Sequence, residues 1–265
     1  MRTMIIAEAA ANHAGKIELA KKMVRIAAEC GADYIKFQSW QSKNLKPGDP
    51  NYERHKISEL SDDDHFVLLE ECARNGIKFL TTCFDIGRID FLSKLGIDTI
   101  KVPSTELGSI KMLKELRSRF EHVIVSTGAA LPGEVEKAAE VLKSGKFTLM
   151  HCVSIYPTPP EKVNLARMNL LKKFTPSVGY SDHTSGSEAS KIAIAFGASY
   201  VEKHFTIDKS LPGKDQAISE TPETIKEICD YAKLVEGVMG REIYKICEAE
   251  MMVRKNYIGK WGDNR

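Results

Sequence analysis

Val178-Gly-Tyr-Ser-Asp-His-Thr-Ser-Gly186 and Tyr200-Val-Glu-Lys-His-Phe-Thr206 are the two segments whose reading decides the fold. Each carries a histidine, His183 or His204, just past a short run of strand-forming residues (Pro176–Ser181 and Ser199–Glu202). Between them Ser187 to Gly197 has the Ala-rich pattern of a helix closed by glycine. If the two runs are neighbouring parallel strands, both imidazoles leave the same C-terminal edge of a sheet, close enough to share a metal. Either histidine alone reads equally well as a hydrogen-bonded structural residue. Two at matching strand ends, with Asp182 beside one, point to a site.

Outward from this pair, the same alternation of strand-like and helical runs extends along the chain. Met4–Ala7 precedes a helix over Ile17–Cys30, and Tyr34–Gln38 leads through a polar loop with Pro47, Gly48 and Pro50 to a helix near Asp63–Asn75. Ile77–Thr82 is followed by a helix near Ile86–Leu95, Thr99–Pro103 by one near Ile110–Arg119, and His122–Ser126 by one near Pro132–Lys143. Phe147–Cys152 leads through a Tyr156–Pro160 loop to a helix near Ala166–Lys173, and a last amphipathic helix spans about Pro222–Met239. Short glycine turns such as Asn75-Gly76 and Leu95-Gly96 close several helices. Eight strand–helix units in ~240 residues predict a single-domain (β/α)8 TIM barrel. A doubly wound open sheet is the runner-up, weakened because no GxGxxG follows the first strand. The expected boundaries are residues 1–245 for the barrel and 246–265 for a C-terminal tail.

A chain of 265 residues with 43% hydrophobic and 28% charged residues suits one soluble domain. Its net charge of +2, from 38 basic and 36 acidic residues, offers no global field for nucleic acid or a membrane surface. The apolar start at Met4 soon meets Glu8, Asn12 and His13, so it does not read as a signal peptide. No run approaches the roughly 20 apolar residues of a membrane span. The six cysteines lack CxxC spacing, and a cytoplasmic protein with reduced thiols is the expectation. A homo-oligomer is left open.

In a (β/α)8 barrel the strand-to-helix loops build the active site. Chemically capable residues collect at nearly every such joint: Glu8; Lys36 and Gln38; Thr82; Lys101, Ser104 and Glu106; Ser126; Ser154 and Tyr156; Ser181; His183; His204. Lys36 and Lys101 stand inside apolar strands, where an unpaired ammonium is costly. With the neighbouring hydroxyls they form a donor-rich cradle for phosphate or carboxylate. Ser126-Thr127-Gly128 offers backbone N–H groups to an oxyanion, although on its own it reads more readily as an ordinary strand–helix turn. Two imidazoles suit Mn²⁺, Fe²⁺, Co²⁺ or Zn²⁺ by ligand type. Glu8 and Glu106, expected at the same mouth, are candidates for proton transfer or water positioning.

Together AEAAANHAG, GADYIKFQ, FLTTCF, IKVPSTE, IVSTGA, MHCVSIYPTP, VGYSDHTSG, GASYVEKHFTID and PGKDQAIS resemble the catalytic barrel of the sialic acid synthase (N-acetylneuraminate synthase, NeuB) family, over about residues 5 to 219. The resemblance implies condensation of phosphoenolpyruvate with an N-acyl hexosamine, such as N-acetylmannosamine or a deoxygenated relative. The product would be a nine-carbon 3-deoxy-2-ulosonic acid plus phosphate, released by C–O cleavage. It implies His183 and His204 as ligands of Mn²⁺ or Mg²⁺, and Lys36, Thr82, Lys101, Ser104, Ser126, Ser154 and Ser181 as phosphoenolpyruvate contacts. Gln38, Tyr156 and Asp215 would touch the open-chain sugar, and Glu8 and Glu106 would manage the attacking water. Three features depart from the pattern. Ala9-Ala10 follows the first glutamate, and Gly213-Lys214-Asp215-Gln216 replaces the usual motif after the eighth strand. The small antifreeze-like domain that typically follows the barrel is expected to be lacking, with the basic, aromatic tail (Arg254, Lys255, Tyr257, Lys260, Trp261, Arg265) as one substitute. The alternatives are a related synthase taking a phosphorylated aldose, and a non-catalytic binding partner.

Overall fold

Alternation along each strand sets this fold, because successive side chains point to opposite sides of a sheet. Eight parallel strands pair in chain order: β1 (Met4–Glu8), β2 (Tyr34–Ser39), β3 (Lys78–Cys83), β4 (Thr99–Val102), β5 (His122–Ser126), β6 (Lys146–His151), β7 (Val178–Asp182) and β8 (Tyr200–His204). The last strand bonds back to the first, in a register that sets Glu8 beside His204, so the sheet closes into the expected (β/α)8 barrel. The computed structural model describes residues 2–211, 213–240 and 245–262. Pro212 of the PGKDQAIS motif and Arg265 of the tail therefore lie outside the described residues.

The helices are α1 (Ile17–Glu29), α2 (Tyr52–Ile57), α3 (Asp62–Arg74), α4 (Ile89–Leu92), α5 (Ile110–Arg119), α6 (Pro132–Leu142), α7 (Arg167–Leu171), α8 (Glu188–Ala195), α9 (Pro222–Met239) and α10 (Glu248–Tyr257). Local chemistry fixes their starts. Ser61 and Asp64 form a reciprocal capping box at α3, with three aspartates in its first turn, and Pro132 opens α6. Three segments differ from the sequence expectation. The helix expected over Ile86–Leu95 is one α-turn between two 3₁₀ turns, because the Asp85 carboxylate accepts from the Gly87 N–H at 2.8 Å and starts a tighter coil. The Pro- and Gly-rich loop after β2 contains α2. The segment expected as a tail contains α10, all of whose residues are exposed.

Two cores result. The larger fills the space between the barrel and its helices. The smaller is a plug of Ile6, Tyr34, Leu80, Ile124, Met150 and Tyr200, one residue from each of six strands, filling the barrel interior. β7 contributes Gly179 at this level, where an added Cβ would lie 2.8 Å from the Tyr200 carbonyl and 3.0 Å from Met150 Cγ. The plug closes the barrel below, so a ligand can enter only from above.

Candidate active site

Two residues along each strand from the plug, the interior turns polar. Ile6 is followed at this spacing by Glu8, Tyr34 by Lys36 and Gln38, Leu80 by Thr82, Ile124 by Ser126, Met150 by Cys152, and Tyr200 by Glu202 and His204. β4 adds Lys101, and β7 adds Ser181 with His183 just beyond it. These side chains surround a small cavity of about 140 Å³, closed to the side by the strands and below by the plug. Ser104 and Tyr156 complete its rim.

Lys36 Nζ donates to Thr82 Oγ1 at 2.8 Å and lies 3.0 Å from Glu8 Oε2 and 3.5 Å from Glu202 Oε2. Gln38 Nε2 donates to Glu8 Oε1 at 2.8 Å, and Ser181 Oγ donates to Glu202 Oε1 at 2.9 Å. Burial works against the Lys36 ammonium, but Glu202 and Glu8 outweigh it and raise its pKa. Lys101 differs: among the described residues its ammonium is hydrogen-bonded only to neutral oxygens, Ser126 Oγ at 2.5 Å and the Val102 carbonyl at 3.2 Å. Burial therefore lowers its pKa. The carboxylates divide in the same way. Burial pushes Glu8 up to about 7, with Lys36 offsetting only part of the effect, while Lys36 and Lys101 together hold Glu202 well below the usual carboxylate range despite its burial. Two buried lysines ringed by hydroxyl donors give the cavity the make-up of an anion site.

His183 and His204 meet at its edge with ring centroids 5.6 Å apart. The His183 Nδ1–H donates to the Val153 carbonyl at 2.7 Å, which leaves the lone pair on Nε2. His204 has a buried Nδ1 without a hydrogen-bond partner. Burial lowers both pKa values, and His204, with His183 beside it, falls to about 3. His183 Nε2 has, among the described residues, only the Ser181 hydroxyl near it, at 3.4 Å, and that hydroxyl already donates to Glu202. Two neutral imidazoles so placed fit a divalent ion whose remaining ligands are water or substrate oxygen. Among the described residues no group of three or more His, Cys, Asp and Glu side chains is set for a metal.

Tyr156 packs over both, 4.2 Å from the His183 centroid and 5.9 Å from that of His204. Above it opens an outer cavity of about 590 Å³, lined by Gln38, Trp40, Arg54, His55, Tyr156, His204, Lys214 and Asp215 among others. The structure brings together the expected Glu8, Lys36, Gln38, Thr82, Lys101, Ser104, Ser126, Tyr156, Ser181, His183 and His204 around the inner cavity. Ser154 touches Ser104 (Oγ–Oγ 3.4 Å), and Asp215 belongs to the outer cavity. Glu106 is not brought in. It lies four residues past the end of β4, in a 3₁₀ turn, and lines a groove that shares Trp40, Leu45 and Phe84 with the outer cavity, where its carboxylate accepts from Ser109 Oγ. Asp182, beside His183, faces away from the site. Glu202 was missed as a site residue, although its place two residues before His204 signals the shared face. Arg54 was missed because nothing in the polar loop marks α2 as lying over the mouth.

A barrel whose C-terminal mouth gathers buried lysines, carboxyls and paired imidazoles beneath a larger outer cavity has the make-up of an enzyme site. The sequence profile of the NeuB family matches residues 23–244. N,N'-diacetyllegionaminic acid synthase of Campylobacter jejuni is 37% identical, over 98% of this chain and 85% of that protein. Human N-acetylneuraminate-9-phosphate synthase is 30% identical, over 93% and 74%. A crystal structure of N-acetylneuraminic acid synthetase from Leptospira borgpetersenii superposes with a TM-score of 0.90 at 30% identity, covering 97% and 93% of the two chains. The chain belongs to the NeuB family. It is a transferase of the sialic acid synthase kind, forming a carbon–carbon bond with phosphoenolpyruvate and a sugar to give a nonulosonic acid.

Proposed function

We propose that this barrel condenses phosphoenolpyruvate with an N-acylated amino-hexose in its open-chain aldehyde form. The observation that carries the reading is Lys101: a fully enclosed ammonium held by neutral oxygens, beside Lys36 and next to the imidazole pair. A trianionic donor supplies the charge that this ammonium lacks. Lys36, Thr82, Lys101, Ser104, Ser126, Ser154 and Ser181 hold it in the inner cavity, with its enol carbon facing the mouth. The outer cavity takes the sugar, where Gln38, Tyr156 and Asp215 contact its hydroxyls. The name of the Campylobacter relative supports an acceptor bearing acylamino groups.

The methylene carbon C3 of the donor attacks the aldehyde carbon. The broken C=O π bond leaves its pair on the aldehyde oxygen, which takes up a proton to become a hydroxyl, and positive charge is left at the donor's C2. Glu202 and Glu8 lie where this charge develops. Glu8 takes the proton of the water that adds to C2, a role suited to a carboxyl with a pKa about 7. Phosphate then leaves from C2 with its bridging oxygen. His183 and His204 would hold a divalent ion, Mn²⁺ or Mg²⁺, which when bound supplies Lewis-acid polarisation of the aldehyde oxygen. Glu106, in the groove adjoining the outer cavity, is the second carboxylate we assign to the management of the water that adds to C2. The cytosol is the compartment we assign. Among the described residues no helix is long and apolar enough to cross a membrane.

Arg54 and Lys214 favour a second reading, an acceptor carrying phosphate. Arg54 already leans on Asp215 at 3.8 Å, which offsets its charge. A panel of acceptors separates the two: phosphate release with mass spectrometry should find the nine-carbon product with N-acyl hexosamines. Turnover only with phosphorylated aldoses would overturn the first reading in favour of the second.

A further inference from the structure

Behind the two histidines, on the outer side of the barrel wall, lies a buried ion pair that contacts no substrate cavity. Strand alternation puts it there: Asp182 and Thr184 flank His183, and Lys203 precedes His204. Asp182 and Lys203 are each 1% exposed and pair at 2.9 Å. Every lone-pair direction of Asp182 is used. Its Oδ1 accepts from Tyr180 OH at 3.1 Å and from the Thr184 N–H and hydroxyl, each at 2.8 Å. Its Oδ2 accepts from Ser190 Oγ at 2.6 Å and from Lys203 Nζ, which also donates to the Thr184 carbonyl at 2.6 Å. One carboxylate thus ties together β7, the loop after it, α8 and β8.

We propose that the Asp182–Lys203 pair is the positioning element that fixes the separation and aim of His183 and His204. This rests on the reading of the two histidines as a metal pair. Stability alone does not account for the pair, since hydrophobic residues of similar volume in place of a buried ion pair are often as stabilising or more so. What an apolar pair cannot do is fix the register of three elements through directional bonds. The histidines need that register. His183 is further held by its Nδ1–H on the Val153 carbonyl and by the Thr158 N–H on its own carbonyl at 2.8 Å. Among the described residues the buried Nδ1 of the His204 ring has no hydrogen-bond partner, and its backbone carbonyl accepts from the Glu220 N–H at 2.7 Å. With two protein ligands the site has one internal distance to set, and the Lys203–Asp182 bond spans the strands that carry it.

The test is the Mn²⁺ affinity of the metal-stripped protein, read from the free Mn²⁺ signal in electron paramagnetic resonance. Thermal unfolding of the same samples is followed without metal. Asp182→Asn/Lys203→Met removes both charges together and so strands neither; its affinity should fall about 10- to 100-fold. Thr184→Val, a milder loss of one hydroxyl on Asp182, should weaken binding roughly 3- to 10-fold. Lys203→Arg, which keeps the charge on Asp182, should keep affinity near the wild-type value. His122→Gln, at the opposite end of the barrel, lowers stability and should leave affinity unchanged. A folded double variant or Thr184→Val that binds Mn²⁺ as the wild type does would overturn the positioning role. If His183→Ala leaves affinity unchanged, the metal reading itself fails and takes this proposal with it.

Discussion

Lys101 and Glu202 show how much of the chemistry rests on single side chains. Lys101→Ala removes the ammonium that has only neutral oxygens around it. A charge-assisted contact is worth ~1.5–3 kcal/mol, so the apparent phosphoenolpyruvate affinity should fall roughly 10- to 150-fold with the fold intact. Steady-state kinetics at saturating acceptor check this, and an unchanged KM removes Lys101 from the cradle. Glu202 acts partly through its neighbour, because its negative charge helps to raise the Glu8 pKa. As a base, Glu8 must be ionised, so kcat/KM should fall tenfold per pH unit below about 7. In Glu202→Gln the repelling charge is gone, Glu8 ionises more readily, and this acid limb should move to lower pH. A limb that stays in place would show that another group sets it. Lys36 and Lys101 were legible in the sequence because lysine in an apolar strand is anomalous. Glu202 is set inside by the same alternation as His204, but its role depends on the contacts with Lys36 and Ser181 that only the folded barrel brings about.

Among the elements, the strands and long helices could be read from apolar periodicity, which reports burial directly. The short pieces could not. α2 arises in a loop whose Pro47, Gly48 and Pro50 argue against helix, and it is placed by contact with a distant residue. Gly15, at φ +72°, lies so close to α2 that an added Cβ would sit 2.1 Å from the Ile57 carbonyl. Gly15→Ala should therefore push α2, with Arg54 and His55, off the outer cavity. The acceptor KM should rise about tenfold or more while that of phosphoenolpyruvate stays constant, because only the outer cavity is touched. Equal effects on both substrates would mean that the displacement reaches the barrel. The place of Glu106 beside the inner cavity could not be read for a related reason: strand alternation fixes a side chain's direction only as far as the strand runs, and the 3₁₀ turn after β4 ends that rule.

For the whole molecule, the plug and the outer core account for a closed fold, and buried neutral histidines set its acid limit. Burial lowers His13, His65 and His122 from 6.5 to about 4. Below pH 6.5 the unfolded chain takes up protons that these folded-state rings refuse. Each site thus removes up to ~1.4 kcal/mol of stability per pH unit as pH falls toward 4. Urea unfolding between pH 7 and 4.5 should show this decline, and His122→Gln should make it shallower. The architecture and most of the ring of polar residues could be read from alternation, whereas the two-cavity division could not, since it depends on how loops from distant parts of the chain lean over the mouth. The central claim is that this mouth joins phosphoenolpyruvate to an N-acylated amino-hexose with loss of phosphate from C2. Phosphoenolpyruvate carrying a heavy-oxygen label in its bridging position, turned over with such a sugar and Mn²⁺, tests it most directly. The label should appear in the released phosphate, seen by its phosphorus resonance shift. Unlabelled phosphate, with the label retained in pyruvate or in the product, would contradict it.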